Sequence, residues 1–200
     1  LIRELRSVKS AAELAALRES AKRLSGVFSR VPEFIKPGMS ELEAAAAFEF
    51  HSRRAGNEGC RMRAPAGEGF IGLAVSGAGA GRPGFFDGAV TGLGLSPASP
   101  VGASLNPVER DSPLFLDYTF MFNGYISDMT RIFVFGKLPP PLLNAYDTAL
   151  EIHSYLAENL KPPNTGDGLY RKAAEIAANA GLAENFMGVP GEQARFVGHG

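Results

Sequence analysis

Two runs rich in β-branched and aromatic residues, 113–122 and 125–135, meet at Asn123-Gly124, and no other stretch constrains the chain as much. Asn-Gly between such runs is the strongest short hairpin signal, because both residues accept the positive φ of a tight turn. A two-residue turn also sets the register. It makes Phe122 face Tyr125, Thr119 face Asp128, and Asp117 face Thr130. Side chains alternate faces along a strand. Phe115, Asp117, Thr119 and Met121 therefore share a face with Ile126, Asp128, Thr130 and Ile132. Asp117 and Asp128 become diagonal neighbours, roughly 7–8 Å apart at the backbone.

Carboxylates so placed can reach toward one metal, or toward two metals about 3.5–4 Å apart. If the face is buried, two adjacent carboxylates repel each other and lack solvation, and a cation removes both costs. The apolar neighbours Phe115, Met121, Ile126 and Ile132 favour this arrangement. A solvent-facing pair among exposed hydrophobics is the other arrangement that the pattern permits.

A second feature is a repeat. Lys36, Pro37, Ser40 and Gly56 correspond to Lys161, Pro162, Thr165 and Gly181, each pair 125 positions apart. Pro37 and Pro162 stop a preceding helix. Ser40 and Thr165 stand where a helix N-cap is needed, and Glu43 completes a capping box with Ser40. Gly56 and Gly181 end those helices in a left-handed turn. The preceding helices are predicted from Glu13 to about Phe34 and from Pro141 to about Leu160. Ser10 and Glu13 form another capping box. Leu14, Leu17, Ala21, Leu24 and Phe28 give the first helix an apolar stripe. Extended by its own offset, the second unit is expected to run about 60 residues past Gly200.

Between the helical pairs, residues 57–112 are rich in Gly, Pro and Ser. Residues 70–75 read as a strand, and residues 77–107 as a long irregular segment lining a site. The chain has 200 residues, enough for one domain with a core, and 45% of them are hydrophobic. A net charge of -1 gives no electrostatic reason to expect nucleic acid or an anionic membrane as partner. Cys60 is the only cysteine, so no internal disulfide forms, which fits a reducing cytosol. No apolar run is long enough to span a membrane. The first residues, from Leu1 to Arg6, are charged, unlike a secretory signal, and lack an initiator Met; an excised piece of a longer chain is expected.

Asp117, Gly124-Tyr125, Asp128 and Thr130-Arg131 together resemble the paired-aspartate segment of the pita-bread metallopeptidases. That superfamily includes methionine aminopeptidase, aminopeptidase P, prolidase and the metal-free creatinase. The closing Gly198-His199-Gly200 resembles its metal-histidine motif, and residues 5–10 resemble the start of the catalytic domain in the aminopeptidase P and prolidase branch. The resemblance implies an α+β pita-bread fold: a curved, mainly antiparallel sheet flanked by helices in two pseudo-repeated halves. On this chain that gives a single domain over 1–200. Its first repeat covers about 10–136 and its second, incomplete, about 137–200.

The resemblance further implies three metal ligands. Asp117 would bind one metal, Asp128 would bridge two, and His199 would bind one through an imidazole nitrogen. The cofactors implied are two divalent ions, Mn before Co, Zn or Fe because the ligation is rich in oxygen. The activity implied is Xaa-Pro aminopeptidase or dipeptidase chemistry, with metal-bound hydroxide attacking the scissile carbonyl of a peptide substrate. A cytoplasmic location is expected, and a homodimer is left open. His51 and His153 fall in predicted helices and read as structural or surface residues. Arg131 either braces the site or is an exposed strand residue.

Two departures from the family pattern stand out. Its two further glutamate ligands would lie C-terminal to His199, where this sequence stops. The family also places a substrate-binding His shortly after a Ser-Gly; here Ser76-Gly77 is followed by no His through Gly88, with Arg82 and Asp87 as the polar residues present. The second departure keeps two alternatives open: a catalytically impaired binding module, and a metal-free creatinase-like hydrolase.

Overall fold

The computed structural model describes residues 2–59, 62–63, 69–70, 72–82 and 89–198. Helix α1 covers Ile2–Ser7 and α2 covers Ala11–Phe28. Ser10 caps α2 reciprocally: its hydroxyl accepts from the Glu13 N–H at 3.3 Å while its own N–H donates to Glu13 Oε2 at 2.7 Å. Where one helix to about Phe34 is predicted, the chain breaks after Phe28 and resumes as the short α3, Val31–Phe34. Pro32 explains the break. Its ring and missing N–H cannot sit inside a continuous helix, but fit the first turn of a new one.

Helix α4, Glu41–Arg54, begins on the predicted capping box of Ser40 and Glu43. The strands follow: β1 (Met62–Arg63) pairs antiparallel with β2 (Gly69–Phe70), and β3 (Gly72–Ser76) belongs to a separate sheet. That sheet has the order β3-β4-β5 and is antiparallel throughout, with β4 at Pro113–Phe122 and β5 at Tyr125–Val134. The segment between β3 and β4 is irregular, as expected. A 3₁₀ turn over Gly77–Gly81 opens it, and isolated bridges such as Gly92 to Gly102 fold it on itself.

The even positions of β4 form the core face. Leu114, Leu116, Tyr118 and Phe120 are buried against Leu24, Val27 and Phe28 of α2 and Ala44 and Phe48 of α4. Phe48 stacks on Tyr118 at 4.1 Å and tilts against Phe28 at 4.8 Å. The buried stripe on α2 is shorter than predicted. Leu24 and Phe28 are buried, but Leu14 is 38% exposed. Tyr125, the first residue of β5, reaches Glu13 Oε1 at 3.3 Å. The first turns of α2 thus stand at the end of the sheet, with little strand surface beneath them.

The second helical pair is α5 (Pro140–Asn159) and α6 (Gly166–Asn179). The bounds of α6 are those of α4 moved by the predicted 125 positions. Thr165 caps α6 as Ser40 caps α4, and Gly56 and Gly181 follow at φ +93° and +75°. Ile152, Ala173, Ile176 and Ala177 form a small core with Leu182, Phe186 and Val197 around it. No helix among the described residues is long and apolar enough to cross a membrane.

Candidate metal centre

The hairpin adopts the predicted register. Phe122 pairs with Tyr125, Thr119 with Asp128, and Asp117 with Thr130. Asn123 and Gly124 take the positive φ that the tight turn needs, +49° and +77°. Glu58 secures the turn, its carboxylate accepting the Asn123 N–H at 2.7 Å and the Gly124 N–H at 3.0 Å.

Asn57 holds β4, and Glu41 holds β3 and the irregular segment; neither was legible as a site feature in the sequence. Asn57 is buried beside the end of β3. Its side-chain amide donates to the Thr119 carbonyl at 3.1 Å and accepts from the Met121 N–H at 3.1 Å, as a neighbouring strand's peptide would. Glu41 is fully buried at the start of α4. It accepts the Ser76 N–H at 2.6 Å, the Ser104 N–H at 2.8 Å and the Ser104 hydroxyl at 2.7 Å. These bonds satisfy a carboxylate that would otherwise be very costly to bury. They also tie both ends of the irregular segment to the helix.

Asp117 and Asp128 lie on the face opposite the helices, as the alternation requires. The Thr130 hydroxyl donates to Asp117 Oδ1 at 2.8 Å, which fixes one oxygen of that carboxylate. The burial favoured from the apolar neighbours is not found. Asp128 is exposed, Asp117 is half-buried, and Ile126 and Ile132 are 37% and 39% exposed. Among the described residues, α2 and α4 pack on the other side of this sheet. Thr119, on the same face and paired with Asp128, is buried, so among the described residues the face is covered at Thr119, half-covered at Asp117 and open at Asp128.

His199, the third expected ligand, lies outside the described residues, as do Asp87 and Cys60. Among the described residues no cluster of three His, Cys, Asp or Glu side chains is suited to a metal. Asp117 and Asp128 still match the chemistry of a hard divalent ion, since they present carboxylate oxygens from neighbouring strands on one side of the sheet. Arg131 is exposed and donates to the Thr130 carbonyl at 2.6 Å. His51 stacks on Phe34 at 4.0 Å and His153 is exposed on α5, as expected of structural and surface histidines. Arg82 is exposed, with its carbonyl accepting from Thr91. Tyr118, next to Asp117, points into the core, where burial and then the charges of Glu49 and Asp117 push its hydroxyl pKa upward.

The layered helices, the antiparallel sheet and the repeated helical pair define a pita-bread fold. The structure aligns with the prolidase of Pyrococcus horikoshii OT3 at a TM-score of 0.74 and 26% identity, covering 92% of this chain and 46% of that one. The metallopeptidase family M24 model matches residues 15–200, and the chain belongs to that family. Similar sequences include the uncharacterized peptidase YqhT of Bacillus subtilis (strain 168), 28% identical over 82% of this chain and 40% of the relative. The probable dipeptidase PepE of Mycobacterium bovis is 26% identical over 94% of this chain and 44% of the relative. The chain therefore spans about half the length of the curated relatives it matches or less.

Proposed function

We propose that the intact protein is a metal-dependent peptidase of the Xaa-Pro dipeptidase or aminopeptidase type, with residues 1–200 contributing part of one catalytic domain. The carrying observation is the placement of Asp117 and Asp128 on one face of the sheet by the hairpin register, with Thr130 orienting the first. Family membership and a relative named as a probable dipeptidase support the reading. Asp117, Asp128 and His199 would hold two divalent ions, with Mn the first choice for oxygen-rich ligation. Such ions supply Lewis acidity and lower the pKa of a nucleophilic water. The chain's own contribution is positional: Glu58 and Asn57 hold the hairpin, and the Thr130 hydroxyl holds one oxygen of Asp117.

One observation favours a second reading, a pita-bread domain that binds peptides without cleaving them. The stretch from Ser76 to Gly88 contains no His. Metal analysis of the intact protein, together with hydrolysis of Xaa-Pro dipeptides, separates the two. Bound metal with turnover supports the peptidase. Neither metal nor turnover rejects it, and metal without turnover leaves the binding module. Asp128→Asn is expected to lose metal; full activity in that variant would overturn the site assignment.

A further inference from the structure

On the helical side of the molecule, α2, α3 and α4 enclose an open cavity of about 290 Å³, a volume near the lower end for small-molecule sites. The helices stand between it and the aspartate face. Its polar lining is basic: Arg23, Arg30, Arg54 and His51. Arg23 is committed elsewhere, bonding Glu19 Oε1 at 2.8 Å and the Ala55 carbonyl at 3.2 Å. Arg30 pairs with Glu33 at 2.9 Å, leaving part of its donor fork unused. Arg54 meets only the Phe50 ring, at 5.6 Å, and His51 makes only ring contacts, among the described residues. Arg30 and Arg54 are exposed at the rim of the cavity, with guanidinium donors that acceptors among the described residues do not fully take up.

Gly26 provides an independent observation. It lies in the body of α2 and lines the same cavity. A glycine inside a helix weakens it, and usually a close neighbour requires one. Here a Cβ would meet nothing within 4 Å. Gly26 is exposed, and no close contact requires it; without a side chain it leaves the mouth of the cavity open. The C-terminal carbonyls of α4 account for cations at that helix end. They account neither for Arg30, which comes from the junction of α2 and α3, nor for Gly26.

We propose that this cavity binds a small phosphate-bearing molecule. The guanidinium forks of Arg30 and Arg54 would take the phosphate oxygens, because that planar donor geometry matches oxyanions. The stacked Phe34–His51 pair would line the organic part. The site is independent of the peptidase reading and lies away from Asp117 and Asp128.

The test is calorimetric titration of the intact protein with inorganic phosphate and phenyl phosphate, at constant ionic strength held with chloride. Saturable binding is expected, tighter for phenyl phosphate. Arg30→Ala and Arg54→Ala should each weaken it about tenfold. Gly26→Leu should abolish binding without lowering the melting temperature, since leucine is a better helix former with open space before it. Arg171→Ala, on the exposed face of α6, should change nothing. No saturable binding, equal weakening by Arg171→Ala, or unchanged binding in Gly26→Leu would overturn the proposal. So would binding that disappears in Asp128→Asn but persists in Arg54→Ala, because it would assign the phosphate to the aspartate face.

Discussion

Helices α2 and α4 lay their apolar side on a three-stranded sheet, whereas among the described residues α5 and α6 pack on each other and on residues 182–197. The local grammar of the two pairs is the same: a cap at Ser40 or Thr165, a helix of 14 residues, and a left-handed glycine. The outcome differs. Phe48 and Leu24 are completely buried in the first pair, while Leu142, Leu143 and Leu150 of α5 are 44%, 47% and 47% exposed. Periodicity selects which face of a helix is apolar, but burial depends on what lies opposite.

The largest expected difference lies in the cores. Phe48→Ala removes a ring packed between Phe28 and Tyr118 and should cost about 3–5 kcal/mol in a denaturant melt. Ile152→Ala, in the smaller core, should cost roughly 2 kcal/mol. Equal losses would break the contrast. Next comes Glu41, whose counterpart at the repeat offset is the exposed Gly166. Glu41→Ala strands the buried Ser76 and Ser104 donors and should cost about 3 kcal/mol, with Glu41→Gln recovering part of it. A neutral Glu41→Ala would show that the clamp does not distinguish the two pairs.

The caps should differ less. Ser40 has a reciprocal partner in Glu43, but the third helical residue after Thr165 is Gly168, which supplies only its N–H. Ser40→Ala should therefore cost about 1 kcal/mol, and Thr165→Ala less, read by thermal melts. Acid should give the smallest effect. Hydrogen bonds from Ser10 and Ser40 hold the Glu13 and Glu43 carboxyls below their ordinary 4.5. A lowered folded-state pKa contributes stability that is present above pH 4.5 and lost as pH falls through the folded value. Amide protection factors, taken relative to the intrinsic exchange rate at each pH, should thus fall in the first turns of α2 and α4 below that range. The first turn of α6 has no such box and should respond less to acid.

Local chemistry made much of this legible. The Asn123-Gly124 turn fixed the register by itself, and with it the common face of Asp117 and Asp128. The capping residues and terminal glycines located α4 and α6. Tertiary contacts were not legible. Nothing local marked Asn57 as a substitute strand edge or Glu41 as a buried clamp, because their partners lie 35 to 64 positions away in sequence. The burial of the aspartates was misjudged for a related reason. An apolar neighbourhood on a strand implies cover only when another element packs on that face.

The Glu58 clamp on the hairpin turn also bears on how the protein ages. Asn-Gly is prone to deamidation because the glycine nitrogen, unhindered by a side chain, attacks the asparagine amide to form a cyclic imide. In this turn the Gly124 N–H is engaged with Glu58 Oε2 at 3.0 Å, and the turn conformation is itself fixed. The bond that secures the hairpin turn thereby also shields Asn123 from slow conversion into a new carboxylate at the hairpin tip. Its lifetime as a neutral turn depends on a side chain 65 positions earlier in the chain.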